Sequence, residues 1–144
     1  IKRASGIQHD LRCDHPYAAY DRLQMEIPVR AEGDAHARSQ IRMEEIRNSL
    51  ALLFNALQSM PEGPVDAEIR WPSGGEGLGW CEGPRGSIYY CVHFDTTGKL
   101  ARVKVKSASF SNWRVFPFTV HDTNMMDYAI NEASFGLTMA GCDR

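Results

Sequence analysis

Between Asp34 and Met60, apolar residues recur at three- and four-residue steps (Ile41, Ile46, Leu50, Leu53, Phe54, Leu57), while Arg42, Glu45, Arg47 and Gln58 fall elsewhere. That period predicts one long amphipathic helix. Gly33-Asp34 supplies its N-cap with Glu32 complementing the helix dipole, and Pro61 within Met60-Pro61-Glu62-Gly63-Pro64 stops it because the proline ring cannot continue the hydrogen-bond ladder. Upstream, Asp14-His15-Pro16-Tyr17 and Ile27-Pro28-Val29 hold Leu11 to Glu32 in a long irregular or extended loop. Downstream, Val65 to Trp71 reads as a short strand and Ser73 to Gly77 as a flexible break.

A two-residue period takes over after that break. Ile88 to Phe94 and Leu100 to Lys106 flank Asp95-Thr96-Thr97-Gly98 and predict an antiparallel hairpin. On its second strand Ala101, Val103 and Val105 alternate with Arg102, Lys104 and Lys106, so one face is apolar and the other is a solvated row of cations. His121-Asp122-Thr123 opens a C-terminal helix through about Ser134, with Met126, Ala129, Ile130 and Ala133 on one side. Met125-Met126 and the run Trp113 to Phe118 are expected to fill the core. The fold class is α+β: a long helix, a small antiparallel sheet and a terminal helix.

Composition narrows the function classes. With 144 residues, 43% hydrophobic and 24% charged, the chain has the make-up of one globular domain. Apolar runs such as Ala51-Leu52-Leu53-Phe54 fall far short of the roughly 20 residues a bilayer requires, so membrane association is expected through partners. A net charge of -2 and a pI near 6.2 create no global basic field, which argues against nucleic acid as a partner. Cys13, Cys81, Cys91 and Cys142 contain no C-x-x-C pair, against a zinc site or a dense disulfide framework, and a reducing cytoplasmic setting fits them. Ile1 and the charged Lys2-Arg3 that follow carry no leader signature, and the chain reads as a fragment of a longer one.

Three clusters invite chemistry: Asp14-His15, Glu82-Gly83-Pro84-Arg85-Gly86 and the closing Cys142-Asp143-Arg144. Asp14-His15 either orients an imidazole for proton transfer or makes a loop hydrogen bond. Arg85, between a rigid proline and a permissive glycine, either projects its guanidinium from a defined turn or simply belongs to one. His9, His36 and His93 have no neighbours at ligand spacing. His121, at the presumed helix start, suits capping.

Taken in order, several segments resemble one family. Arg3-Ala4-Ser5-Gly6, Asp14-His15-Pro16-Tyr17-Ala18-Ala19-Tyr20-Asp21, Ile27-Pro28-Val29, Gly33-Asp34, Arg42 to Arg47 and Met60 to Pro64 are similar to the large subunit of complex I, the 49-kDa type, and its membrane-bound nickel-iron hydrogenase relatives. Ser109 to Trp113 and Asn131 to Leu137 resemble the formate hydrogenlyase and hydrogenase-4 large subunits most. The resemblance implies that residues 1–144 are a C-terminal fragment whose missing part holds most of a helical bundle.

In hydrogenases of this family two C-x-x-C pairs supply thiolates to nickel. The resemblance places the first pair before Ile1 and the second on Thr138 and Gly141, neither of which provides a thiolate, so nickel-iron is not expected and metal ligands are none. Complex I large subunits lack these cysteines too, and their cavity receives quinone. The resemblance gives Arg85 the place of an arginine above the metal site, where it polarises substrate or assists proton transfer. Asp14, His15 and the acidic-basic pair Asp143 and Arg144 become candidates for the cavity or its proton path. It implies electron transfer from an iron-sulfur cluster in a small partner subunit to quinone or another acceptor, beside membrane subunits on the cytoplasmic face of the cell membrane. The fragment itself holds no cluster-ligand pattern and is expected to be inactive alone, with exposed apolar surface that a homodimer would cover. The alternatives are a catalytic nickel-iron hydrogenase and a non-catalytic scaffold.

Overall fold

The computed structural model describes residues 1–68 and 73–142. The order of elements is α1 (Leu11–Asp14), α2 (Ala35–Gln58), β1 (Gly75–Gly83), β2 (Gly86–Phe94), β3 (Leu100–Lys106), α3 (Ala108–Trp113) and α4 (Tyr128–Phe135), with short 3-10 turns between them. The strands form one antiparallel sheet in the order β1-β2-β3, which makes the architecture α+β.

Helix α2 starts where capping chemistry puts it: the Asp34 carboxylate accepts from Ala37 N–H at 2.7 Å. It ends at Gln58, with the Ser59 hydroxyl donating to Asn55 O at 2.8 Å. Along its apolar stripe only the first half meets a partner, although Leu52 in the second half is buried. Ala37 and Ile41 are buried against Ala4 of the N-terminal turn, whereas Ile46, Leu50, Leu53, Phe54 and Leu57 are all more than half exposed. The helical period is correct, but the described residues do not cover the second half of the stripe.

Residues 1–7 run beside the segment that leads into α2, held by Arg30 N–H to Arg3 O at 2.8 Å and Gly33 N–H to Ala4 O at 2.7 Å. Arg38 joins α2 to α4. Its guanidinium donates to Asn131 Oδ1 at 2.6 Å, Ser134 Oγ at 2.9 Å and Gly33 O at 2.8 Å. It also lies 4.5 Å above the Phe135 ring, and Phe135 packs edge-on against Phe116 with ring centres 5.4 Å apart. The contact between these helices therefore combines a satisfied polar staple with an aromatic pair.

Several expectations change. The break at Ser73–Gly77 gives way to strand at Gly75, because β1 pairs with β2 from Gly75↔Phe94 to Gly83↔Gly86. Gly77 leaves room for its partner there: a Cβ would meet Val92 Cγ2 at 3.2 Å. The C-terminal helix begins at Tyr128, behind a 3-10 turn that Asn124 caps through Met126 N–H at 3.1 Å. It buries Asn131 and Phe135, while Ile130 faces outward. Met125 and Met126 are exposed rather than core, and of Trp113 to Phe118 only Phe116 is buried, since the Arg38–Asn131–Phe135 contact decides which side of α4 faces inward. The strand expected at 65–71 lies partly outside the described residues, and 65–68 carry none. On β3, Val103 is exposed along with Arg102 and Lys104, so its apolar face is also uncovered.

Candidate functional site

A cleft of about 260 Å³ opens where the N-terminal turn, α2, the β1–β2 turn and the end of α4 converge. One wall is a closed ion cluster. Arg3 pairs with Asp10 at 3.0 Å, with Glu45 at hydrogen-bonding distance and with Glu82 at 3.7 Å, and Arg12 pairs with Asp10 at 2.7 Å. Asp10 is fully buried and also caps α1, accepting from Arg12 N–H at 3.0 Å. Glu82 accepts from Ser87 Oγ at 2.9 Å and Leu11 N–H at 3.4 Å. Burial alone would raise the Asp10 pKa, but the hydrogen bonds from the Arg12 side chain and backbone, with the Arg12 and Arg3 charges, outweigh it and hold the carboxyl below its ordinary range. The same hydrogen bond pushes Arg12 upward. No fully buried side-chain polar atom among the described residues lacks a partner, so this wall is anchored.

The opposite wall is cationic. Arg85 sits in the tight turn that links Gly83 and Gly86, where its carbonyl accepts from Asn112 Nδ2 at 2.8 Å. Arg42 faces it from α2, and Lys106 also lines the cleft. Burial, and then the nearby Arg85 charge, push Arg42 below its usual value. Both guanidinium groups lie against Gly136, the left-handed residue that ends α4: a Cβ there would be 3.3 Å from Arg42 Nη2 and 3.6 Å from Arg85 Nε. Two cations thus stand beside the carbonyl end of a helix, the end that favours positive charge. Among the described residues neither guanidinium forms a salt bridge, and Glu45 only partly offsets the shift at Arg42, so the pair presents donors and positive charge to whatever enters.

The sequence-predicted residues separate. Arg85 lines the cleft. Asp14 pairs with His9, Oδ2 to Nδ1 at 2.6 Å, instead of with its neighbour His15. His15 turns to Trp80, whose Nε1 donates to the His15 carbonyl at 3.1 Å, and His9 rather than His15 reaches the cleft. Asp143 and Arg144 lie outside the described residues. Arg3, Glu45 and Arg42 line the cleft and the buried Asp10 holds Arg3, although no motif in the sequence sets them apart. A signal was available in Arg38, Arg42 and Glu45, charges at four- and three-residue steps on the side of α2 that also carries Ile41.

Thr138 and Gly141 form a turn closed on itself. The Thr138 hydroxyl accepts from Gly141 N–H at 3.2 Å, and Thr138 N–H donates to Ser109 Oγ at 3.3 Å. Ser107 Oγ donates to Gly141 O, and the Cys142 thiol donates to Thr138 O at 3.4 Å. A Cβ on Gly141 would meet Thr138 Oγ1 at 2.9 Å and Ser109 Cβ at 3.1 Å. A thiolate pair at these positions therefore has neither the donor atoms nor the room, and the residues do not fit a nickel site. No group of three or more His, Cys, Asp or Glu among the described residues is arranged to hold a metal ion.

Comparison with known proteins gives this geometry a family. The sequence profile described as "Respiratory-chain NADH dehydrogenase, 49 Kd subunit" matches residues 1–73 and 65–144. An NADH-quinone oxidoreductase subunit of Carboxydothermus hydrogenoformans is 35% identical over 98% of this chain and 40% of its own length. The carbon monoxide-induced hydrogenase of Rhodospirillum rubrum is 34% identical over 78% of this chain and 32% of its own. A chain in the solved structure of the membrane-bound sulfane sulfur reductase, an archaeal respiratory membrane complex, superposes with a TM-score of 0.89 at 28% identity, over 99% of this chain and 41% of that one. This chain spans about two fifths of the length of the Carboxydothermus relative. It belongs to the 49-kDa subunit family of respiratory-chain NADH dehydrogenases.

Proposed function

We propose that residues 1–144 are the C-terminal portion of the large subunit of a membrane-associated oxidoreductase complex, which passes electrons from an iron-sulfur partner subunit to quinone or another acceptor without nickel. The observation that carries this reading is the Thr138–Gly141 turn, whose hydroxyl and backbone are committed to each other and whose interior a cysteine side chain would overfill. Family membership and the NADH-quinone oxidoreductase relative supply the reaction class. Arg85 and Arg42 supply the local chemistry: two cations with no salt bridge among the described residues stabilise negative charge on an acceptor as it is reduced. Asp14, His15, Asp143 and Arg144 remain the proton-path candidates, with Asp14 paired to His9 rather than to His15. No described helix is long and apolar enough to cross a membrane, so attachment to the cytoplasmic face is assigned to membrane subunits. The finer placement beside formate hydrogenlyase and hydrogenase-4 rests on Ser109–Trp113 and Asn131–Leu137 alone. Isolated residues 1–144 are expected to self-associate through the exposed half of α2.

The test is elemental analysis of the full-length protein purified with its native partners, together with hydrogen uptake and quinone-dependent electron transfer. Iron without nickel, and electron transfer blocked by a quinone-site inhibitor, is the expected result. Stoichiometric nickel with hydrogen oxidation would support instead the hydrogenase reading, to which the Rhodospirillum rubrum relative points. Turnover indifferent to quinone, with no other acceptor reduced, would leave the scaffold reading.

A further inference from the structure

Away from the cleft, the outer half of the sheet carries a constellation that the proposed electron transfer does not use. Strand register places Glu76, His93 and Arg102 in one cross-strand row and Leu78, Cys91 and Lys104 in the next, all on the same face. His93 Nδ1 is 3.1 Å from Glu76 Oε1, and His93 Nε2 is 3.8 Å from Cys91 Sγ. A carboxylate on Nδ1 favours the tautomer that keeps its proton there and leaves the Nε2 lone pair facing the thiol. Thiol, imidazole and carboxylate thus stand in the order of nucleophile, base and base-orienting group.

The surroundings define the chemistry. Cys91 and His93 are half-buried, and the neighbouring Leu78 is 63% exposed, so a small molecule has an approach. Lys104 and Arg102 are exposed beside them and supply positive charge. Strand β2 is the central strand, and its ladder occupies the local backbone N–H groups, so among the described residues no oxyanion hole faces the thiol and acyl transfer finds no support. The other cysteines are placed differently. Cys81 lies in register with Ile88 on the opposite face, the Cys142 thiol donates a hydrogen bond to the Thr138 carbonyl, and burial raises the Cys13 thiol.

We propose that Cys91, with His93 as its base and Glu76 orienting that base, is a reactive thiol that forms mixed disulfides with small disulfides bearing carboxylates, which Lys104 and Arg102 attract. In the step, Cys91 Sγ attacks one sulfur of the disulfide and gives its proton to His93 Nε2. The new Sγ–S bond forms as the old S–S bond breaks, and the leaving thiolate takes the proton from His93. Cys91 is oxidised, the departing sulfur is reduced, and no further oxidant is required.

The experiment treats the reduced full-length protein, in its native complex, with oxidised glutathione and follows each cysteine by peptide mass spectrometry. Cys91 is expected to form the glutathione adduct about tenfold faster than Cys81, and His93→Gln to slow Cys91 by about tenfold while leaving the Cys81 rate unchanged. Lys104→Glu is expected to slow oxidised glutathione and speed the cationic disulfide cystamine. Cys91 reacting no faster than Cys81, including not at all because a partner covers it, overturns the proposal. So does an unchanged rate in His93→Gln, and an unchanged preference between the two disulfides in Lys104→Glu overturns the assignment of a carboxylate-bearing partner.

Discussion

Two groups of arginines serve the same cleft under opposite conditions: Arg3 lines it and is joined through Asp10 to Arg12, while Arg42 and Arg85 line it directly. Arg3 and Arg12 are enclosed by Asp10, Glu45 and Glu82. Arg42 and Arg85 face each other across Gly136, with no salt bridge to either among the described residues. The first arrangement brings the N-terminal segment, α2 and the sheet to one point and satisfies every buried charge, which is what a structural ion cluster requires. The second leaves mutual repulsion in place and is held by backbone: a tight turn at one arginine and a helix at the other. Two cations beside a cleft, with no salt bridge to either among the described residues, leave a place for negative charge.

The largest effect that would test this contrast belongs to the closed wall. Asp10→Ala strands Arg3 and Arg12 without their shared buried partner, and the full-length protein is expected to lose about 3–5 kcal/mol of stability in urea denaturation. A loss below about 1 kcal/mol would show that the cluster is not an anchor.

Acid should act on the same group. Because the folded Asp10 pKa lies below its unfolded value, its contribution is fully present above that unfolded value, near 4, and is lost as pH falls through the folded one. The stability gap between the unchanged protein and Asp10→Asn is therefore expected to be widest at neutral pH and to narrow below about pH 4. A gap that stays constant from about pH 7 to about pH 3 would show that Asp10 does not set the acid response.

A smaller effect is expected at the Thr138–Gly141 turn. Gly141→Cys forces a Cβ against Thr138 Oγ1 and Ser109, costing about 1–3 kcal/mol. Thr138→Cys with Gly141→Cys is expected to bring no nickel by elemental analysis, and stoichiometric nickel in that double variant would show that the turn has room for the metal after all. The smallest stability change belongs to the open wall. Arg85→Met removes repulsion from Arg42 and is expected to alter stability by less than about 0.5 kcal/mol, while electron transfer in the assembled complex falls. Full activity with Arg85→Met would separate the arginine pair from function.

Much of the fold was legible because two periods are strong in the chain. The three- and four-residue recurrence over Asp34–Met60 and the alternation on either side of Asp95–Gly98 both became the expected elements, with Asp34 as the cap. β1 was not legible, since Gly75, Gly77 and Gly79 carry no side chain to reveal alternation and become strand only by pairing with β2. The site was half legible. Arg85 stood out through the proline and glycine around it, but Arg3, Asp10 and Glu45 are charges whose burial depends on partners as distant in the chain as Glu82 is from Arg3. The pairing of Asp14 with His9 instead of His15 has the same origin: α1 brings residues 9 and 14 together, and adjacency in the chain does not.

By itself the sequence determined the helix, the hairpin, the family and the absence of thiolates at 138 and 141, because these depend on local period, turn chemistry and residue identity. Tertiary structure alone decided which faces are covered, which of the acidic groups meet Arg3, and that Arg42 stands beside Arg85. Those outcomes depend on where distant segments meet, and a charge or an apolar residue is the same letter whether buried or solvated.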